Sequence, residues 1–295
     1  MRQPPHTFSM DASSSVPLQS QKQQLPPLAD VQSQAPSIPL HINRVGIRNM
    51  TMPILVRQRD YVEAQCTVAE ITLSVDLPAE AKGTHMSRFV ETLQGMLRRS
   101  GGETSTLDYP LALRLMRETC ARLKADRAYL AFSFPYFLVR TTPVSGIRTT
   151  MTYHCTLSGE IDETSRETSS FAPFTLAVTV PVMTVCPCSK AISDEGAHSQ
   201  RAEIHISSRM SGYIWIEDLI ELAEEAGSSP VYSLLKRADE KFVTEYAFAH
   251  PCFVEDVARC VAASLTVHPL VSSFHVRVES HESIHAHNAF AYIKG

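Results

Sequence analysis

Residues 68–77 alternate without a break, with Ala69, Ile71, Leu73, Val75 and Leu77 apolar and Glu70, Thr72, Ser74 and Asp76 polar between them. A two-residue period belongs to a strand with one face buried and one wet, so the chain must build a sheet and cover one side of it. The pattern recurs where Phe174, Leu176, Val178 and Val180 alternate with Thr175, Ala177 and Thr179, and where Ala202, Ile204 and Ile206 alternate with Arg201, Glu203 and His205. Helical spacing supplies the cover. Met86, Phe89, Val90, Leu93 and Leu97 form one stripe before Gly101-Gly102; Leu113, Met116, Cys120 and Leu123 form a second after Asp108 and Pro110, which suit a helix start. A helix from Ile214 turns Ile216, Leu219, Ile220 and Ala223 inward, carries acids at Glu217, Asp218 and Glu221, and stops at Gly227; another from Pro251 buries Val254, Val257, Val261 and Leu265. With further strands near 128–140, 151–157, 270–281 and 287–294, the order predicts an α+β chain in which a β-β-α-α-β-β unit occurs twice, over residues 41–165 and 166–295. Antiparallel sheets with helices on one face leave open edges, which oligomerisation would close.

Residues 1–40 hold seven of the 18 prolines together with seven glutamines and show neither period, which predicts a disordered tail. A net charge of -4 with interspersed signs argues against a general nucleic-acid or membrane-surface binder, so an anionic ligand must be met by local cations. The odd number of cysteines, seven, does not read as a disulfide framework, and no run is long and apolar enough to span a membrane. A cytoplasmic protein with reduced thiols is expected.

Between the second pair of alternating runs lies the chemistry. Residues 181–201 place two thiols, an imidazole and two cations in one turn-rich segment. Pro187 favours an extended Cys186, and an extended chain would aim Cys186 and Cys188 to the same face. A thiolate with His198 suits Zn²⁺ or a neighbouring transition metal, and closing a tetrahedron would need ligands from elsewhere. Two buried thiols and a loop histidine fit the same residues equally well.

The wording "CPCSK-x-ISD-x-GAH-x-QR" from Cys186 resembles the signature of the type IB GTP cyclohydrolases, metal-dependent enzymes that open the guanine ring of GTP. Further matches follow in chain order: "VGIRNMTMPI" (45–54), "KGTHMSRF" (82–89), "PCFVEDVAR" (251–259) and "ESIHAHNAFA" (282–291). The resemblance implies the tunnelling fold, in which such halves join edge to edge into barrels, and a homo-oligomer, a tetramer, with active sites at subunit interfaces. It implies conversion of GTP and water to formate and 7,8-dihydroneopterin triphosphate, the first step of pterin and folate synthesis. One divalent cation per site, Zn²⁺, Mn²⁺ or Fe²⁺, would be held by Cys186, His198 and Glu240. Cys188 falls at a catalytic position beside the metal, His285 at that of a proton shuttle, Glu282 at that of its orienting partner, and Glu255 at that of the guanine anchor. Lys190 is the candidate for the triphosphate, ahead of Arg201, Lys82, His85 and Arg88.

Read without the resemblance, Glu240 and Glu255 are solvated acids in the first turns of helices, Cys188 is a packed thiol or a fourth ligand, and the histidines at 281, 285 and 287 mark a polar strand edge or a second metal site. Three other functions share these residues. A nitrile reductase of the queuosine pathway would use a cysteine nucleophile and NADPH without a metal. A non-catalytic zinc-stabilised module would unfold on chelation. An archaeal-type cyclohydrolase would stop at a cyclic phosphate.

Overall fold

A computed structural model describes residues 30–32, 34–97, 104–164 and 174–295. Two expectations therefore lie outside the described residues: disorder over 1–29, and the boundary at 165/166 between the halves. The rest of the proposed tail differs from expectation. Gln32 and Gln34 are tied to the residues just before α1: the Gln32 side chain donates to the Thr84 carbonyl at 3.1 Å, and the Lys82 and Gly83 amides donate to the Gln34 and Gln32 carbonyls.

The first half runs β1 (Ile42–Val56), β2 (Gln65–Leu77), α1 (Met86–Leu97), a two-residue β3 (Thr106–Leu107), α2 (Tyr109–Leu123), β4 (Arg127–Thr141) and β5 (Arg148–Asp162). The second runs β6 (Phe174–Val185), α3 (Pro187–Ile192), β7 (Ser199–Met210), α4 (Ile216–Ala226), β8 (Ser229–Pro230), α5 (Arg237–Ala249), α6 (Val254–Val267), β9 (Val271–Ser280) and β10 (Ala289–Lys294). The two halves share one sheet in the order β10-β9-β7-β6-β5-β4-β2-β1-β3, with β8 paired to β6. The seam is the antiparallel pair β5–β6, which runs from His154 opposite Thr179 to Gly159 opposite Phe174. The main elements follow the predicted order, with the short strands β3 and β8 and the helices α3 and α5 added to it.

Alternation placed the apolar positions correctly, but Ser74 and Asp76 of β2, read as the wet face, are buried too, Asp76 because it accepts from the Asp126 and Arg127 amides. Ala69, Ile71, Leu73, Val75 and Leu77, and equally Phe174 to Val180 and Ala202 to Ile206 at their apolar positions, are buried against the helices. Among the helical stripes Phe89, Leu93 and Leu97 are buried, whereas Met86 is exposed because it opens α1. Asp108 caps α2 as expected, accepting from the Leu111 amide at 2.7 Å. In α4, α5 and α6 the third helical residue reaches back instead: Asp218, Asp239 and Asp256 accept from the amides of Trp215, Lys236 and Phe253.

The apolar core runs across the seam, with Tyr109 of α2 against Phe174 of β6, and polar contacts are added to it. Glu217, one of the acids read as lying on the outer side of α4, is only 3 % exposed; it accepts from the Tyr136 hydroxyl of β4 at 2.5 Å and from the Arg59 amide at 2.9 Å. The Arg59 guanidinium then bridges Asp218 at 2.8 Å and Glu221 at 2.5 Å, which ties the β1–β2 loop of one half to the first turns of α4 in the other. On the same helix Glu224 accepts from Tyr153 of β5 at 2.6 Å and pairs with Arg140 of β4 at 2.5 Å.

Candidate active site

The β6–β7 hairpin delivers the cysteine-rich segment. Its ladder ends with Val185 opposite Ser199, and the Cys186 amide then donates to the His198 carbonyl at 3.1 Å. Cys186 and His198 are therefore locked to each other at the mouth of the loop. Cys186 is extended, as the following proline demands, and serves as the N-cap of α3, its sulfur accepting from the Ser189 amide at 3.4 Å. Cys188 departs from the sequence reading. It lies inside α3 rather than in an extended run, so it cannot share a face with Cys186 by the two-residue rule, and it is exposed where Cys186 is half-buried.

His198 is nearly buried, its side chain 12 % exposed. Its Nδ1 lies 2.8 Å from Gln200 Oε1, and its amide donates to the Ser189 hydroxyl at 3.3 Å. The β9–β10 connection closes over this point because the His281 amide donates to the Arg201 carbonyl at 2.9 Å. That brings Glu282, itself 11 % exposed, to 3.9 Å from His198 Nδ1, and sets the His285 ring edge-on to His198 with centroids 6.4 Å apart. His287 stacks on His285 at 5.3 Å.

The turn between α5 and α6 meets the same corner. The Cys252 amide donates to the Val185 carbonyl at 3.1 Å, one residue before Cys186, so α6 starts beside the hairpin mouth with Glu255 exposed in its first turn. Ser228, which no sequence signal marked, is the pin: it is fully buried, its hydroxyl accepts from the Val185 amide at 3.0 Å and it contacts the Cys252 sulfur at 3.1 Å. Lys190 hydrogen-bonds the Phe248 carbonyl at the end of α5, a contact that leaves two of its three ammonium donors.

Glu240 stands apart. It is exposed in the first turn of α5, two turns or about 12 Å along the axis from Phe248. Among the described residues of the single chain, no three His, Cys, Asp or Glu side chains are grouped so as to hold one ion. The structure thus brings together Cys186, His198, Glu282 and His285, with Glu255 on the adjoining helix, and does not bring Glu240 to them. Two of the four secondary phosphate candidates are engaged elsewhere: His85 pairs with Asp30 at 3.5 Å and Arg88 donates to the Arg122 carbonyl at 3.1 Å.

The donor chemistry of the paired positions suits a borderline divalent cation. Cys186 offers sulfur, and His198, once its Nδ1 proton is donated to Gln200, offers the Nε2 lone pair.

Residues 28–291 match the family model described as type I GTP cyclohydrolase folE2. Among curated relatives, GTP cyclohydrolase FolE2 of Desulfovibrio desulfuricans is 53 % identical over 267 residues, covering 90 % of this chain and 97 % of that protein. GTP cyclohydrolase FolE2 of Nitratidesulfovibrio vulgaris is 51 % identical, covering 90 % and 96 %. Among solved structures, uricase from Arthrobacter globiformis superposes with a TM-score of 0.51 at 12 % identity over 86 % of this chain and 92 % of that one, a likeness of fold alone and consistent with the tunnelling-fold expectation. The chain belongs to the type I GTP cyclohydrolase FolE2 family.

Proposed function

We propose that this protein is a GTP cyclohydrolase I that converts GTP and water to formate and 7,8-dihydroneopterin triphosphate, in the metal-dependent type IB manner, for pterin and folate synthesis. The observation that carries the reading is the meeting of Cys186, His198, Glu282 and His285 at the mouth of the β6–β7 hairpin, in a chain over half identical to named cyclohydrolases across nine-tenths of its length. Cys186, His198 and Glu240 would hold one divalent cation, Zn²⁺, Mn²⁺ or Fe²⁺, which supplies Lewis acidity for attack of water at guanine C8. Since Glu240 lies away from the other two within one chain, the set closes when metal binding or subunit assembly brings it in.

The remaining residues bind and move protons. Glu255 accepts paired hydrogen bonds from guanine N1–H and the 2-amino group, a donor pair that adenine lacks. His285, exposed beside His198, gives and takes the protons of ring opening and formate release, with Glu282 as its orienting carboxylate. Cys188, exposed in the first turn of α3, would act in catalysis beside the metal, and Lys190 would offer its remaining donors to the triphosphate. Joined sheet edges would form barrels in a tetramer with the sites between subunits, and the compartment is the cytoplasm; no helix among the described residues is long and apolar enough to cross a membrane.

Incubation of the metal-loaded protein with GTP tests this. Formate and a pterin that fluoresces after oxidation are expected from the wild type and neither from Cys186→Ala of unchanged melting temperature. NADPH oxidation with a 7-cyano-7-deazaguanine substrate, and no formate from GTP, would replace the proposal with the nitrile-reductase alternative.

A further inference from the structure

We propose that Gln200 is a positioning residue for His198: its side-chain carbonyl holds the imidazole in the Nδ1–H tautomer, so that Nε2 is the nitrogen offered to the metal. The inference rests on the reading of His198 as a ligand and goes beyond it by naming the group that selects the ligating atom.

Three contacts support it. His198 Nδ1 and Gln200 Oε1 are 2.8 Å apart, a full hydrogen bond, whereas the other acceptor facing that nitrogen, Glu282 Oε2, is 3.9 Å away and outside hydrogen-bond reach. The amide is itself held at both ends. Gln200 Nε2 donates to Thr184 Oγ1 at 3.3 Å, and Ser283 Oγ donates to Gln200 Oε1 at 3.4 Å. Thr184 is 2 % exposed on β6, directly opposite Gln200 in the ladder, so the anchor is a packed strand and not a surface group. With its N–H side turned to Thr184, the amide presents only its oxygen to the ring, and the ring nitrogen facing it must carry the proton.

The choice of an amide also has a chemical consequence. A thiolate at Cys186 and a carboxylate at Glu240 already balance the charge of a divalent cation. A neutral orienter fixes the ring without adding a further negative charge beside it. Glu282, the nearby carboxylate, is thereby left available for the proton-handling side of the site.

The test uses the full chain, stripped with a chelator and titrated with Zn²⁺ against a chromophoric competitor. Gln200→Leu is expected to bind Zn²⁺ about 10- to 100-fold more weakly, the loss typical when the hydrogen-bond partner of a ligating histidine is removed. Gln200→Glu, which keeps the acceptor, is expected to restore affinity to within about threefold of wild type, a rescue that a merely space-filling role would not give. Wild-type affinity in Gln200→Leu, together with lost binding in His198→Ala, would overturn the role of Gln200 and leave His198 a ligand. Undiminished binding in His198→Ala would remove the metal reading and this inference with it. Long-range ¹H–¹⁵N spectra of the metal-free wild type give a check that no variant can spoil by misfolding: the Nδ1–H tautomer of His198 is expected, and an Nε2–H ring overturns the proposal.

Discussion

Replacing Tyr136 by phenylalanine removes one oxygen from the seam between the two halves, and the structure sets what that should cost. Tyr136 is fully buried on β4, and its hydroxyl donates at 2.5 Å to Glu217 of α4, a carboxylate only 3 % exposed. Glu217 then keeps the Arg59 amide at 2.9 Å on the same oxygen, while its Oε2 has no hydrogen-bond partner among the described residues. The variant therefore leaves a buried acceptor poorly satisfied. A hydrogen bond to a charged group of this kind is worth about 1.5 to 3 kcal/mol, and for a domain of this size that corresponds to a fall in melting temperature of about 3 to 12 °C. Burial, and after it the Glu217 hydrogen bond, hold the Tyr136 phenol far above its ordinary range, so the donor stays protonated and the loss should be flat from pH 6 to 9. Thermal and urea unfolding at fixed protomer concentration measure it. In a double-mutant cycle with Glu217→Gln the two losses should be non-additive by about 1 to 2 kcal/mol. A loss under about 0.5 kcal/mol, the level of an ordinary surface substitution, or additive losses in the cycle, would refute the claim that this pair couples the halves.

Three further substitutions have outcomes set by the same contacts. Burial, acting against the Tyr153 and Arg140 contacts, raises the Glu224 carboxyl above its ordinary value of 4.5; because the folded state then binds the proton more tightly, wild type should gain stability relative to Glu224→Gln as pH falls through the raised pKa towards 4.5, and a melting-temperature difference independent of pH over that window would contradict it. Gly227→Ala would put a Cβ 2.8 Å from the Val182 Cβ and 3.3 Å from the Met183 carbonyl, so denaturant unfolding should show a loss of about 1 to 3 kcal/mol, as expected of overpacking. Glu255→Gln should retain metal and fold but lose GTP turnover through a raised KM, because the amide presents a donor where guanine needs an acceptor; unchanged KM would remove Glu255 from the base-binding role.

Strands were legible because burial on one face imposes a period that no tertiary contact has to supply. Helix α5 was legible only as a helix start at Glu240, and the reason its extent was not is in its residues: only Asp239, Val243 and Ala247 are buried along it, while Phe242 and Tyr246 are exposed, so the apolar stripe is too thin to read. The same thinness hid its anchor. Asp239 is fully buried, accepting from the Val144 and Ser145 amides at 2.9 and 2.8 Å and the Ser145 hydroxyl at 2.6 Å, partners more than ninety residues distant that no local window contains. Helix α3 was missed because a cysteine is an unusual cap and a Cys-Pro-Cys run reads as extended until the helix behind it is seen. Glu217 passed for a solvated acid on an amphipathic helix, since its partners Tyr136 and Arg59 lie 81 and 158 residues away. Gln200, by contrast, was available: it sits two residues after His198 at the start of a strand, on the spacing that puts side chains on one face.

The arrangement of these long-range contacts explains why the candidate site sits where it does. Hydrogen bonding is continuous from the sheet into the site: β6 ends at Val185, Ser228 accepts the Val185 amide, and the Val185 carbonyl accepts from Cys252 at the start of the α6 approach. Cys186 and His198, one residue further on, inherit the rigidity of the ladder, and the β9–β10 loop is fastened to β7 at Arg201, so Glu282 and His285 are referenced to the same two strands. Glu240 is referenced differently, through Asp239 to the β4–β5 turn of the other half. Helix α5 is thus fastened at its start to the β4–β5 turn of the other half, through Asp239, and at its end to the hairpin mouth, through Lys190 and the Cys252 amide. The position of Glu240 relative to Cys186 is set by the two anchors of α5. A substitution at the Asp239 anchor should therefore reach metal binding as well as stability, and Asp239→Asn should weaken Zn²⁺ affinity even though Asp239 is not itself a ligand.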